Sequence, residues 1–418
     1  MIQLRVWANV RPMGWFGHSG TDFFFRYDAQ WLDLPGGFAL APQFPLHPAE
    51  YHGVLVKSFF ENLLPEGQVL EDILAAIPLR GASHFELLGH LGRELPGVLS
   101  LLPEGEVASA QQQYQPLPAA ALSQRLQARG HTPLLVSNQQ TTMSLAGAQD
   151  KVSLRYDPKR SAFSESVGTS PTTHIVKPDT RQPRYQPSAI NEYACMKLAR
   201  AVKLPVPDVW WLRVPEPLTI VERYDRQLVA GNIVGLHQFD GCQLLGVSAG
   251  WKYQRQAGLV SHQKLVAALR TLKVRGLDLL HFQQWVMFNY LIGNADAHAK
   301  NISVLMDDKG YRLAPFYDLL CVSVYDDAGL ALFIGDEDTF AAVGRHSWEG
   351  FCEDCGFRVP ETLAALRKMA MALLPAWKKV RLAVEKETQP LPAEVDLLDR
   401  MEAVFAQRVE AVGLMLGE

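Results

Sequence analysis

The chain has 418 residues, of which 48% are hydrophobic and 20% are charged, as is usual for globular proteins with room for two or three domains. Its formal net charge of -4 excludes a general basic field for nucleic acid, so any such contact would need a local patch. Five cysteines, an odd number, argue against a disulfide framework, and no uncharged apolar run reaches the ~20 residues that span a bilayer. We therefore expect a cytoplasmic protein without a membrane partner.

The first part of the chain, residues 1–103, mixes strand patterns with helical patterns and predicts a small α+β subdomain. QLRVWANV and DFFFRYD have strand character, whereas SHFELLGHLG is typical of a helix. From residue 104 to 133 the composition changes to Gln, Ala, Pro and Glu. This change predicts a linker that carries at most one short helix.

Residues 134–240 are predicted to be rich in strands. Near their start they contain a segment with several small residues, SLAGAQDKVSLRYD (144–157). The segment is neither G-x-x-x-x-G-K-[ST] nor G-x-G-x-x-G. Its small residues Ala146, Gly147 and Ala148 would still let backbone N–H groups approach a phosphate. As a lone motif the segment is weak, and a surface turn is the alternative.

A strand, TTHIVK, ends on Lys177, and a helix follows from about Ser188, a good N-cap, to Val202. Glu192 lies on a nearly uncharged flank of this helix, where a carboxylate needs a cation, and Lys177 is the nearest candidate. The alternative is a first-turn glutamate that faces water and interacts with the helix dipole. Two more strands, DVWWLRV and PLTIVER, complete the order found in the sheet lobe of protein kinases, which favours the lysine pairing.

Residues 241–418 are predicted to be almost entirely helical. The apolar helix LDLLHFQQWVMFNYLI (277–292) leads directly into the polar stretch GNADAHAKN (293–301), and a hairpin around the turn DDKG precedes Asp318. The stretch contains Asp296 and Asn301 in the Asp-x-x-x-x-Asn spacing of kinase catalytic loops, and Asp318 falls where a second metal ligand belongs. We expect these three side chains to line one cleft.

These residue types suit phosphoryl transfer. Asp296 can accept the proton of a substrate hydroxyl, while Asn301 and Asp318 offer the hard oxygen ligands that Mg²⁺ prefers. Lys300 could steady the phosphoryl charge, and His298 could contact phosphate or form a hydrogen bond within the loop. As a zinc site the cluster is poor, since Asp-x-His has no third nitrogen or sulfur ligand nearby.

Motifs along nearly the whole chain resemble the HipA-type serine/threonine kinases, the toxins of bacterial toxin–antitoxin pairs. FFENLLPEG (59–67) resembles the N-terminal signature of this family, SLAGAQDK its phosphate loop, PTTHIVK its ATP-lysine strand and NEYACMKLA its helix C. VERYDR is similar to its hinge, GNADAHAKN to its catalytic loop and FYD to its metal-binding motif. The motifs stand in the family's order.

The resemblance implies an α+β, two-lobed protein-kinase-like fold with an extra N-terminal α+β subdomain and an all-helical C-lobe. It implies ATP and Mg²⁺ as cofactors, Asp296 as catalytic base, Asn301 and Asp318 as metal ligands and Glu192 as helix-C partner of the lysine. The implied ATP-binding residues are Ala146, Gly147, Ala148, Gln149, Asp150, Lys151, Lys177, Glu222, Arg223, Tyr224, His298, Ala299, Lys300, Asn301, Tyr317 and Asp318.

The resemblance also implies regulation and partners. Ser144 stands where the family has an autophosphorylated serine, and a phosphate there would repel ATP and eject the loop; a turn hydroxyl is the alternative. Implied partners are a HipB-like helix-turn-helix antitoxin and a protein substrate, an aminoacyl-tRNA synthetase. The family's lysine-rich DNA-contacting segment is replaced by the acidic to neutral FIGDEDTFAAVGRHSWEG (333–350), so we expect DNA contact only through the antitoxin.

Two other functions are compatible with the residues. A small-molecule kinase of the aminoglycoside-phosphotransferase type shares the Asp-x-x-x-x-Asn spacing, although the FFENLLPEG motif argues against it. A catalytically weak corepressor that acts with an antitoxin would bind ATP without turnover.

Overall fold

The structure is a computed structural model that describes residues 2–76, 83–129, 134, 136–137, 140–141, 150–326 and 329–417. Ser144 and the expected phosphate-loop residues Ala146, Gly147, Ala148 and Gln149 lie outside the described residues. Within the ranges described, every helix is too short or too polar to span a bilayer.

An antiparallel sheet with strand order β4-β3-β2-β1-β5 forms the N-terminal part. The strands are β1 Ile2–Ala8, β2 Arg11–Ser19, β3 Asp22–Tyr27, β4 Tyr51–His52 and β5 Leu99–Pro103, and the helices are α1 Ala29–Leu32, α2 Val54–Glu61, α3 Gly67–Ala76 and α4 His84–Leu91. Period-2 alternation directs Phe16 and Phe25 into the core, where the Phe16 ring stacks on Phe60 of α2 at a centroid distance of 3.9 Å.

A second antiparallel sheet, with strand order β12-β13-β11-β9-β10-β6, forms the middle part. The helices and strands of this part, which include a separate short hairpin β7–β8, are β6 Tyr114–Leu117, α5 Ala119–Ala128, β7 Val136–Ser137, β8 Gln140–Thr141, β9 Val152–Asp157, β10 Ala162–Ser166, β11 His174–Pro178, α6 Ala189–Ala201, β12 Val209–Arg213 and β13 Pro217–Glu222. The predicted order of strand, helix and two strands appears as β11, α6, β12 and β13.

The structure differs from the expected linker at 104–133. Within this stretch β6 pairs with β10 at the edge of the middle sheet, and α5 follows it directly. Pro116 obscures the strand pattern in the sequence, but an edge strand tolerates a proline because only one side of it is paired. The segment is therefore partly built into the fold.

The C-terminal part is mainly helical, as predicted. Its helices are α7 Gly241–Leu245, α8 Gln254–Ala257, α9 His262–Thr271, α10 Gly276–Ile292, α11 Arg345–Cys355, α12 Val359–Thr388 and α13 Pro392–Leu416. The strands that follow β13 along the chain are β14 Arg226–Val229, β15 Asn232–Gly235, β16 His237–Asp240, β17 Ser303–Asp307 and β18 Gly310–Leu313. The predicted hairpin is β17–β18, and β16 extends it to a small sheet, so this part is not purely helical.

Helix α10 is buried along most of its length and fixes the start of the polar stretch. Phe282, Trp285 and Phe288 are each at most 1% exposed. The helix ends at Gly293, whose φ of 67° is the left-handed C-terminal conformation that glycine favours. A Cβ there would lie 2.8 Å from Ser323 Oγ, so a larger residue would displace this junction.

Candidate active site

Lys177 lies on β11, and Glu192 lies in the first turn of the adjacent α6. Ser188 is the N-cap residue of α6, as predicted, but its hydroxyl makes no capping bond and instead accepts from the Thr180 N–H at 2.8 Å. Asp179 caps the start of the helix instead, because its Oδ1 accepts from the Ala189 N–H at 2.7 Å. Since Asp179 is close in sequence to Lys177, this bond joins the end of β11 to the start of α6.

Lys177 is 6% exposed and holds two carboxylates together. Its Nζ donates to Glu192 Oε1 at 2.7 Å and to Asp318 Oδ1 at 2.7 Å. Burial alone would lower the pKa of Lys177, but Asp318 and Glu192 raise it above its ordinary value. Burial likewise acts to raise the pKa of Asp318, yet Lys177 and Lys151 hold it well below its usual range, so Asp318 is an anion at neutral pH.

The backbone at Asp318 has a φ of 60°, which is rare for a residue other than glycine. Such a conformation persists only when its surroundings enforce it, and it is frequent at functional sites. The neighbouring Tyr317 is fixed by its hydroxyl, which donates to Lys300 O at 2.6 Å, and by its ring, which stacks on Tyr224 at 5.4 Å. Tyr224 and Tyr317, which were predicted separately as ATP-binding residues, thus lie side by side in one wall of the site.

The Asp296–Asn301 loop is closed by its own backbone. Asp296 O accepts from the His298 N–H at 2.8 Å and from Asn301 Nδ2 at 3.0 Å. Because the Asn301 nitrogen is engaged, its Oδ1 is the atom suited to a cation. Burial lowers the pKa of His298, which favours a neutral ring, and its buried Nδ1 has no hydrogen-bond partner among the residues that the structure describes.

Two buried amides anchor this loop to α10. Asn294 Nδ2 donates to Asn289 Oδ1 at 2.8 Å, and Asn294 Oδ1 accepts from the Asp296 N–H at 3.2 Å. Asn289 in turn donates to Trp285 O, one turn earlier in the helix, at 2.8 Å. The apolar helix therefore positions Asp296 through a chain of hydrogen bonds.

Tyr253 is a site residue that sequence reasoning missed. Its hydroxyl donates to Asp296 Oδ1 at 2.7 Å, and its ring contacts His298 edge-on at 5.3 Å. Burial and the Asp296 charge raise the pKa of Tyr253 far above its ordinary value, so the phenol keeps its proton. The segment before α8 has no periodic pattern that could have indicated this role.

The sequence suggests that Lys300 steadies a phosphoryl group, but in the structure its Nζ is engaged by acceptors within the protein. Its Nζ donates to Asn62 O at 2.9 Å, to Asn62 Oδ1 at 2.8 Å and to Asp240 Oδ2 at 2.8 Å, which uses its three protons. Glu66 Oε1 lies 3.6 Å away. Asn62 and Glu66 belong to the FFENLLPEG motif, which is therefore the docking surface for the catalytic loop, a role its sequence did not reveal.

Arg223 also differs from its expected role in ATP binding. Its guanidinium is buried and donates to Glu94 Oε1 at 2.9 Å and to both oxygens of Asp225, at 3.0 and 2.9 Å. Thr172, Ser153 and Leu95 O accept its remaining hydrogen bonds. With its N–H groups engaged by the protein, the Arg223 side chain holds the hinge together. Glu222 beside it has an exposed side chain at the end of β13.

The described residues of the expected phosphate loop point in different directions. Asp150 is paired with Arg181, whose Nε donates to its Oδ2 at 2.8 Å. Lys151 lines the same cavity as Lys177, and burial together with the charge of Lys177 lowers the pKa of Lys151 to about 8.

One cavity of about 800 Å³ collects most of these groups. Of the predicted residues, it is lined by Lys151, Lys177, Glu192, Glu222, Arg223, Tyr224, Asp296, His298, Lys300, Asn301, Tyr317 and Asp318. Asp296, Asn301 and Asp318 thus share one cleft, and its volume suits a small-molecule ligand.

The donor set of the cleft fits a magnesium nucleotide. Among the residues described, no group of three His, Cys, Asp or Glu side chains forms a dedicated metal site. Mg²⁺ needs no such group, since it binds through one or two protein oxygens together with waters and substrate phosphates. Asp318 and Oδ1 of Asn301 are suited to supply the protein oxygens, and the cations Lys151 and Lys177 are suited to bind the phosphates.

The fold and the cleft define a two-lobed, protein-kinase-like protein with an added N-terminal α+β part. Residues 4–102 match the family model of the HipA N-terminal domain, and residues 143–377 match that of the HipA-like C-terminal domain. The chain is 34% identical over 424 residues to the putative kinase Y4mE of Sinorhizobium fredii, with 99% of each chain covered.

Two further matches come from Shewanella oneidensis, and both are named HipA. The serine/threonine-protein kinase toxin HipA is 30% identical over 385 residues, covering 88% of this chain and 86% of the relative. The solved complex of HipA, HipB and operator DNA contains a chain with a TM-score of 0.83 and 26% identity, covering 97% of this chain and 96% of that one. The protein belongs to the HipA family of serine/threonine kinases.

Proposed function

We propose that this protein is an ATP- and Mg²⁺-dependent protein serine/threonine kinase that inhibits growth as the toxin of a toxin–antitoxin pair. The observation that carries the proposal is Lys177 Nζ bound to both Glu192 and Asp318, in the cleft that also contains Asp296 and Asn301. This is the arrangement with which kinases hold nucleotide phosphates and metal.

Five residues of the cleft have a task in the proposed reaction. Asp296 accepts the proton of a substrate hydroxyl while that oxygen attacks the γ-phosphorus, and the bond from phosphorus to the bridging oxygen of ADP breaks. Lys177 and Lys151 would bind the phosphates, and Asn301 and Asp318 would hold the metal. When bound there, Mg²⁺ neutralises charge that develops on the phosphate oxygens.

A pulsed-expression experiment tests the proposal and identifies the substrate. Cells expressing wild type or Asp296→Ala are compared by quantitative phosphoproteomics, and growth is recorded. We expect new phosphoserine or phosphothreonine sites and growth arrest with wild type alone, with an aminoacyl-tRNA synthetase among the labelled proteins. A small-molecule kinase would label no protein, and a corepressor would retain full operator repression with Asp296→Ala. Equal toxicity of both proteins without labelling would refute the kinase proposal.

Nucleotide affinity is expected to depend on the charge of Lys151. With a pKa of about 8, this lysine is a cation below that pH and loses its charge as the pH rises through it. Because phosphates bind the cation better, we expect ATP affinity to fall several-fold from about pH 7 to about pH 9. Calorimetric titration measures this, and Lys151→Met should flatten the dependence. An unchanged slope in Lys151→Met would assign the effect to another group.

We also propose that Ser144 is autophosphorylated and that this inactivates the enzyme. Phosphate at Ser144 would add negative charge to the segment that is expected to approach the ATP phosphates. Incubation with ATP should give a singly phosphorylated peptide that contains Ser144 and a parallel loss of activity, and Ser144→Ala should stay active. A loss of activity that is equally fast in Ser144→Ala would contradict this role.

The proposed partner is a HipB-like helix-turn-helix antitoxin, as in the related complex from Shewanella oneidensis. The stretch 333–350 carries five acidic or basic groups of mixed sign rather than a lysine-rich patch: Asp336, Glu337, Asp338, Arg345 and Glu349. Operator binding should therefore require the antitoxin, and gel-shift titration with and without it measures this.

A further inference from the structure

The carboxylate of Asp296 is held by a residue outside its own loop. Tyr253 donates its hydroxyl proton to Asp296 Oδ1 at 2.7 Å, and burial keeps that phenol protonated. One carboxylate oxygen is thus occupied by a fixed donor. Tyr253 makes no hydrogen bond to the other oxygen, Oδ2, which is therefore the atom that can accept the proton of a substrate hydroxyl.

Tyr253 is itself held from two sides. Lys252 O accepts from the Ala299 N–H at 3.2 Å, which joins the segment to the catalytic loop. Lys252 Nζ donates to Glu66 Oε2 at 2.8 Å, and Glu66 belongs to the N-terminal part. On the other side of Tyr253, the Gln254 N–H donates to Ala331 O at 2.9 Å.

We propose that Tyr253 is a positioning residue for the proposed phosphoryl transfer, which orients Asp296 so that Oδ2 faces the acceptor hydroxyl, and that the Glu66–Lys252 ion pair keeps Tyr253 in place. This inference rests on the proposed kinase function. It gives the N-terminal part an influence on the catalytic rate that acts through Lys252 and Tyr253. An oriented base is effective because a substrate proton must be reached within hydrogen-bond distance and at a favourable angle.

The geometry also has an opposite interpretation, in which Tyr253 blocks Asp296. The two interpretations predict rate changes of opposite sign when the hydroxyl is removed. Tyr253→Phe is suited to the comparison because it deletes the hydroxyl and retains the ring that packs on His298. Tyr311→Phe is the matched control, since Tyr311 lies on β18 and outside the cavity lining.

The test measures phosphoryl transfer by the full-length chain, together with ATP affinity and melting temperature. We expect Tyr253→Phe to lower kcat about tenfold, as fits the loss of a hydrogen bond to a charged group, with ATP affinity within about twofold of wild type. Lys252→Met should also lower kcat. The double variant should raise the activation free energy by less than the sum of the two single-variant increases. Tyr311→Phe should match wild type.

An unchanged or increased kcat in Tyr253→Phe overturns the positioning role, as does a loss confined to ATP affinity or melting temperature. Full additivity of Tyr253→Phe and Lys252→Met overturns the part assigned to the ion pair. Absence of phosphoryl transfer in both wild type and Tyr311→Phe refutes the kinase function itself, and the positioning role falls with it. A normal wild-type rate with an equally fast Tyr253→Phe refutes only the positioning role.

Discussion

Asp296→Asn is expected to lower kcat for phosphoryl transfer by at least about 100-fold, the range in which a positioned general base contributes. An amide cannot accept the substrate proton, although it has nearly the shape of the carboxylate. Tyr253 can still donate to the amide oxygen, so the loop should keep its conformation. The rate is measured in single-turnover experiments with saturating ATP.

The same variant should bind ATP normally, because Lys177, Asn301 and Asp318 are unchanged. Asp308→Asn provides a matched control, since Asp308 is an exposed carboxylate in the β17–β18 turn. We expect this control to have wild-type kcat. A rate for Asp296→Asn within a few-fold of wild type would exclude Asp296 as the base.

Glu94→Ala is expected to reduce the free energy of unfolding by about 3 kcal/mol, the scale found when one partner of a buried ion pair is removed. Glu94 is 5% exposed, and its Oε1 accepts from Arg223 Nη1 at 2.9 Å, from Arg226 Nη2 at 3.0 Å and from Thr172 N at 2.7 Å. Its loss leaves two buried guanidinium groups to share Asp225. Urea unfolding followed by fluorescence measures the change.

Glu50→Ala is the control for this prediction, because Glu50 forms an exposed pair with Arg26 at 3.4 Å. Exposed ion pairs contribute at most about 1 kcal/mol. If Glu94→Ala shifted the unfolding midpoint no more than Glu50→Ala, the buried network would not tie the N-terminal part to the hinge. A broadened transition would instead indicate that the two parts unfold separately.

The elements that carry the site were predictable because their signals are local. The apolar helix before GNADAHAKN, the Asp-Gly turn of the hairpin and the strand that ends on Lys177 each follow from a few neighbouring residues. Their order along the chain then indicated which residues share a cleft. The Lys177–Glu192 contact was predicted from the kinase-like order of strand, helix and two strands, because the helix alone was also compatible with a glutamate that faces water.

The individual roles of several charged residues were not predictable, because they depend on distant partners. Lys300 binds Asn62, which is 238 positions away, and Arg223 binds Glu94, which is 129 positions away. A basic residue inside a catalytic or hinge motif looks the same whether it faces phosphate or a buried carboxylate. Tyr253 had no signal at all, since a single tyrosine in an irregular segment shows no periodicity.

The contact between Lys300 and the N-terminal Asn62 has a consequence for how the protein is made. During synthesis the N-terminal part emerges first, while the loop that needs it is translated more than two hundred residues later. Without the N-terminal part, Lys300 would keep Asp240 as an acceptor but would lose both oxygens of Asn62. The N-terminal acceptors are therefore made before the loop, whereas a chain truncated at its N-terminus would carry the sequence of the Asp296–Asn301 loop without its geometry.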